Sequence, residues 1–249
     1  MAIRESTVSF ISIAGVIVQA LAIVFISNPP TKVPDFGEFD VGLERKEAFF
    51  SYLLPLIKDI NQEILQTRQQ LIEWRLNKGE MSQRNTRILE GIAKKYRIEK
   101  FDLMNEADWN TLLLRVDVIP PSLALAQAAS ESAWGASRFA RNGHNYYGQW
   151  CFKKGCGIVP DDRKKGKKHE VASFDSPAES VESYIHNLNS FYAYKKLRNI
   201  RAQLRAKNKK ITGVALIDGL NSYSTRKGEY INELRAVINY NNLSKYDDH

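Results

Sequence analysis

Between Leu123 and Gly135 the chain reads LALAQAASESAWG. A run this rich in Ala and Leu, preceded by Pro120 and Pro121 and ending at a glycine, predicts a helix whose left-handed C-cap falls at Gly135. It would bury more comfortably without its one acid, Glu131, which lies in the last turn. Residues three and four positions earlier are Ala128 and Gln127, and three later is Trp134, so the face around the acid is small, apolar and aromatic. A carboxylate there meets the negative end of the helix dipole, and burial against an aromatic ring also disfavours ionisation. Both effects raise the pKa, as a general acid working near neutrality requires. An ordinary helical glutamate faces solvent instead, and the surrounding sequence has to decide between the two.

The residues that follow, ARNGHNYYGQW, set Tyr146, Tyr147 and Trp150 beside Asn142, Asn145 and Gln149. Flat apolar rings next to amides match the faces and edges of a sugar, although aromatic residues around Gly148 serve equally as packing anchors of a loop.

Upstream, Val8–Ile26 is a run without charge, VSFISIAGVIVQALAIVFI, about as long as a bilayer-spanning helix. It reads as a transmembrane signal anchor (residues 1–27), with cleavage after Ala20, Leu21 and Ala22 as the alternative; both export the remainder of the chain. Residues 28–42, rich in Pro and Gly, read as a linker. Phe49, Leu53, Leu56, Ile60, Ile64, Leu71 and Trp74 mark a long amphipathic helix kinked at Pro55, and Ile88, Ile92 and Tyr96 a second; together they form a helical hairpin in an N-terminal region, 43–110. Residues 111–249 form the main domain.

Within that domain helical periodicity disappears from Asn142 to Phe174, where a β-hairpin with HEVASF as its second strand is expected. Ser176, Pro177 and Glu179 open a further helix with a capping box. More helices follow at about 195–206, 212–219 and 228–240. The fold class is therefore mainly α with a small β lobe, α+β overall.

The two cysteines, Cys151 and Cys156, are five positions apart in an exported chain, which favours a local disulfide over free thiols or half of a zinc site. No metal or cofactor is called for. A formal net charge of +8 suits a polyanionic partner such as a cell-wall polymer or a membrane surface, and no recognised nucleic-acid-binding fold orders that charge. The basic loop from Lys153 to Lys168 is a solvated hairpin or meets the carboxylates of peptide stems.

AQAASESAWGASRFARNGHNYYGQW resembles the signature of glycoside hydrolase family 73, the peptidoglycan N-acetylglucosaminidases. WNTLLLRVDVIPPSLALAQAASESAWG, the C-x4-C hairpin, SPAESVESYIHNLNS and GLNSYSTRKGEYINEL together resemble its Bax-like branch over residues 43–245. The resemblance implies a lysozyme-like helical core with a cleft against the β lobe and hydrolysis of the β-1,4 bond between N-acetylglucosamine and N-acetylmuramic acid. By the same resemblance Glu131 is the catalytic acid and Tyr223 the tyrosine beneath the reacting sugar. Asn145, Tyr146, Tyr147 and Gly148 form the cleft motif, beside Trp134. Many relatives carry a second carboxylate on the hairpin, for which Asp161, Asp162 and Glu170 are the candidates, Glu170 being the one chosen; the 2-acetamido group of the substrate is the alternative. The rival activities are a lytic transglycosylase and a glycan-binding wall scaffold without turnover. The expected location is the inner membrane, with the catalytic domain on its periplasmic or other extracytoplasmic side.

Overall fold

The computed structural model describes residues 32–247 except Thr225 and Lys227. The apolar run at Val8–Ile26, expected as an anchor, lies outside the described residues; among the described residues no helix is long and apolar enough to cross a membrane. From Val33 onward the chain forms one compact unit.

Helix α1 (Leu43–Leu76) continues through Pro55. It buries Phe49, Phe50, Leu53, Leu56, Ile57, Ile64 and Leu71, a stripe repeating at three and four residues. That stripe packs onto α3 (Glu106–Arg115), α4 (Pro121–Ser132) and α6 (Pro177–Ser190), so the N-terminal helices share the core of the main domain. Helix α2 (Gln83–Lys95) starts at Ser82, whose Oγ accepts from the Asn85 amide at 3.2 Å. Its inner face is turned by one residue from expectation: Leu89 and Ala93 are buried with Tyr96, while Ile88 is exposed. The stretch read as a linker is tied down before α1 begins. Phe36 is 1% exposed and packs edge-on against Phe49, Tyr52 and Tyr146, and Asp35 pairs with Arg141 at 2.5 Å.

Helix α4 is the centre of the molecule, buried at every residue from Pro121 to Ala129 and packed against α1, α8 (Gly213–Leu216) and α9 (Gly228–Tyr240). It ends earlier than its glycine indicates. Ala133 and Trp134 already have left-handed φ values of 50° and 57°, and the Trp134 amide closes on Ala129 O at 3.0 Å. Ser132 makes this break possible: its Oγ donates to Ala128 O at 2.6 Å and accepts from the Gly135 amide at 2.8 Å. Gly135 serves packing as well as backbone conformation, because a Cβ there would stand 2.3 Å from Phe36 Cδ2.

After the short helix α5 (Arg138–Gly143) the expected hairpin is instead a three-stranded antiparallel sheet. Strand β3 (Glu170–Ala172) lies between β1 (Trp150–Cys151) and β2 (Gly157–Ile158), with Trp150 opposite Val171 and Gly157 opposite Ala172. The sequence-adjacent strands β1 and β2 are thus the two edges, and the loop closed by the Cys151–Cys156 disulfide crosses the end of β3. Gly157 permits the crossing, since a Cβ would meet Val171 O at 1.9 Å.

Ser176 caps α6, its Oγ accepting from the Glu179 amide at 3.2 Å, and the Glu179 carboxylate accepts from the Asp175 amide at 2.8 Å. Helix α7 (Lys195–Ala206) docks by charge. Its Arg201, 1% exposed, donates to Leu114 O and Val118 O at the end of α3. Arg205 grips Asp117 through Nε at 2.6 Å, and Arg68 of α1 lies 3.8 Å from the same carboxylate. The guanidinium groups hold the Asp117 carboxyl below its ordinary range against the opposing effect of burial, while burial lowers Arg201 to about 10.

Candidate active site

Glu131 lies half-buried in the last turn of α4. Its carboxylate accepts a hydrogen bond from the Tyr230 hydroxyl of α9. Behind that contact runs a chain of polar groups: Gln127 Nε2 donates to Tyr230 Oη at 2.9 Å, and Tyr184 Oη of α6 donates to Gln127 Oε1 at 2.7 Å. Gln127 precedes Glu131 by one helical turn, so one face of α4 carries the acid and its supporting amide together. Burial raises the Glu131 pKa above the ordinary value; the Tyr230 hydrogen bond opposes the rise, Glu233 adds to it and Arg226 offsets part of it.

The open side of the acid is Gly148, itself exposed. A Cβ at this glycine would stand 3.2 Å from Glu131 Oε2, and its φ of +62° suits glycine as well. A side chain there would cover the acid.

Most of the predicted cleft residues turn out to build this approach rather than line it. Asn145 is 1% exposed, and its amide binds the loop to itself: Nδ2 donates to Gln149 O and Ala172 O at 2.9 and 2.8 Å, and Oδ1 accepts from the Gln149 amide at 3.0 Å. Tyr146 is buried beside Phe36 and Phe49. Tyr147 is buried in a parallel stack 3.8 Å from Tyr184. Trp134 packs on Phe49 and Phe50 at 6.1 and 5.3 Å, under Lys46 of α1. Asn145, Tyr146 and Tyr147, expected to line a sugar cleft, are thus each 1% exposed and packed within the protein, next to Gly148. The physical reason is that Phe36 and Phe49 cover Tyr146 while Tyr184 of α6 covers Tyr147.

Tyr223 does approach the acid. Its ring stacks parallel to Tyr230 at 5.6 Å, and its hydroxyl donates to Tyr147 O at 2.9 Å. Burial, followed by the proximity of Tyr230 and Glu131, keeps that hydroxyl protonated far above its usual range.

Glu170 is engaged elsewhere. It is 5% exposed, and its two carboxylate oxygens accept from the Gly155 and Gly157 amides at 3.1 and 3.0 Å, pinning the disulfide loop over β3. Those bonds, the Gly155 amide first, lower its pKa. The cluster of Cys151, Cys156 and Glu170 brings three potential ligand atoms together, but both sulfurs are consumed by the disulfide. Asp161 is exposed and pairs with Arg138 at 3.1 Å. Sequence reasoning missed Glu233. It lies one turn beyond Tyr230 on α9 and pairs with Arg226 at 2.8 Å. The i, i+3 spacing from a tyrosine is the signal that places it on the same face.

A half-buried carboxyl at a helix end, its pKa raised by burial, supported by tyrosines and open at a glycine, is the arrangement of a glycosidase-type site, and sequence comparison agrees. Residues 108–243 match the Glucosaminidase family model, described as mannosyl-glycoprotein endo-beta-N-acetylglucosaminidase. The chain belongs to this glucosaminidase family of glycoside hydrolases. It is 37% identical over 215 residues to the protein bax of Escherichia coli (strain K12), covering 86% of this chain and 76% of that one. Among solved structures it is similar to the catalytic domain of the autolysin Auto from Listeria monocytogenes, with a TM-score of 0.43 and 18% identity over 84% of this chain and 91% of the other.

Proposed function

We propose that the protein hydrolyses the β-1,4 bond between N-acetylglucosamine and N-acetylmuramic acid in peptidoglycan, with Glu131 as general acid. The observation that carries this reading is the half-buried Glu131 carboxyl, its pKa raised by burial, facing the exposed Gly148. Glu131 gives its proton to the glycosidic oxygen as the bond breaks. Tyr230 then stabilises the carboxylate that is left, a hydrogen bond most useful to the charged form. The Tyr223 ring, held by its bond to Tyr147 O, forms the floor beneath the reacting sugar.

With Glu170 engaged in backbone bonds, the attacking group at the anomeric carbon is the substrate's own 2-acetamido oxygen; water then opens the intermediate. Glu233, paired with Arg226, supports the charge balance around Glu131. Single Glu170→Gln, Asp161→Asn, Asp162→Asn and Glu233→Gln variants test this: loss of hydrolysis in any one of them, in a folded protein and as complete as in Glu131→Gln, makes that carboxylate the second catalytic group.

The uncharged run at Val8–Ile26 supports an inner-membrane anchor with the catalytic unit on the periplasmic side. Digestion of purified sacculi by the full chain and by Glu131→Gln, read by product masses, tests the activity. The unaltered chain should release fragments carrying one added water and the variant should release none. Anhydro products instead identify a lytic transglycosylase, and equal release by both chains removes Glu131 from the mechanism.

A further inference from the structure

Trp150 is 60% exposed, unusual for the largest apolar side chain. It follows Gly148 by two residues, so its Cα lies within ~7 Å of the glycine that borders the catalytic acid. The ring is held in place: it stacks on His169 with centroids 4.3 Å apart and planes 14° from parallel. His169 is in turn fixed by Arg163, whose Nη1 donates to His169 O at 3.2 Å. In front of this pair is a concavity of about 380 Å³, with Trp150, Phe139 and Val171 as its apolar wall. The same concavity is lined by Arg163, Lys164 and Lys167, with Asp162 as the one acid among its lining residues. The two lysines come together because the loop folds as a β-turn: the Lys167 amide donates to Lys164 O at 3.0 Å, and Gly166 takes the positive φ of +88°. Both are exposed.

A fixed aromatic face beside a cationic rim recognises a ligand with an apolar ring face and a nearby negative charge. We propose that this concavity is a binding subsite of the glycan strand that selects sugars bearing a peptide stem: Trp150 stacks on the sugar ring, and Lys164 and Lys167 pair with the stem carboxylates. The proposal rests on the peptidoglycan reading above and adds to it a preference for peptide-bearing over stripped strands.

The test uses the full chain carrying Glu131→Gln, so that binding is measured without cleavage. Its probes are soluble glycan strands with intact stems and the same strands stripped of peptide by an amidase. The parent should bind the intact strands tighter by about tenfold, the effect of an ion-pair contribution near 1.4 kcal/mol, and the preference should fade with salt. K164E/K167E should erase the preference, weakening binding to intact strands more than to stripped strands, whose muramic lactyl carboxylates remain. Trp150→Ala should weaken both strands to a similar extent, with a thermal transition like the parent's.

Three results overturn the subsite: equal parental affinity for the two strands, a loss with K164E/K167E that is the same for both, or full binding by Trp150→Ala. If the parent binds neither strand the subsite is also overturned. The peptidoglycan reading falls with it only if the unaltered chain releases nothing from sacculi.

Discussion

Gly148 lies against Glu131 so closely that a Cβ on the glycine would stand 3.2 Å from the carboxylate Oε2. The chain approaches this carboxyl with backbone alone, at a glycine that is itself exposed. Replacing Gly148 with Ala introduces a methyl at this contact and a residue disfavoured at φ +62°. The expected cost is about 1–2 kcal/mol of stability, together with a fall in kcat that exceeds any change in KM. Steady-state kinetics on soluble glycan strands and a thermal melt check both parts.

Glu131→Gln should lower kcat by about 100- to 10,000-fold and at the same time stabilise the fold at neutral pH. Burial raises the folded-state pKa above the ordinary 4.5. A carboxyl group raised in this way contributes fully below about pH 4.5, and its contribution is lost as pH rises through the folded value. The variant never ionises, so its melting temperature should exceed that of the parent at pH 7 and converge with it toward pH 4. Parallel melts across that range decide it; a variant less stable at pH 7 contradicts the assignment of burial as the main influence on Glu131.

Tyr230→Phe removes the hydroxyl that donates to Glu131 and that also accepts from Gln127. A bond that favours the carboxylate is lost, so the Glu131 pKa should rise further and the alkaline limb of kcat/KM should move to higher pH. Leaving Gln127 Nε2 without its acceptor should cost about 1–3 kcal/mol. A pH–rate profile separates this from a merely structural loss, which lowers the curve without moving its limb.

Asp117→Asn tests the ionic network that docks α7. Asp117 is 3% exposed and lies among Arg68, Arg201 and Arg205. Losing the one anion leaves buried guanidinium groups uncompensated, with an expected cost of about 3–5 kcal/mol. Chemical denaturation measures it, and acidification through the lowered Asp117 pKa should weaken the unaltered protein in the same way.

Helices α1, α4, α6, α7 and α9 were legible because their determinants are local, whereas α3 and α5 were not anticipated. Ser176 and Glu179 cap α6 as their spacing predicts, and the three- and four-residue periodicity of α1 matches its buried face. The position of Glu131 in the last turn of its helix was legible too, since it depends only on the local Ala-rich run. Other assignments failed wherever a distant contact decided the outcome. Gly135 looked like a C-cap, but Ser132 ends the helix earlier and the glycine is required by Phe36. The expected hairpin became a three-stranded sheet because β3 entered between β1 and β2.

By itself, then, the sequence determined most of the longer helices, the disulfide spacing and the placing of one acid at a helix end, all of which depend on residues a few positions apart. Only the tertiary structure decided which residues face a ligand. Tyr146, Tyr147 and Asn145 look like a sugar platform in one dimension. In three, Phe36, Phe49 and Tyr184 cover the two rings, and the Asn145 amide is consumed by Gln149 and by Ala172 of β3. Glu170 is likewise withdrawn by the Gly155 and Gly157 amides, while Trp150 is left exposed two residues past the glycine. Burial and hydrogen-bond partnership depend on elements far apart in the chain, and no spacing within the motif encodes them.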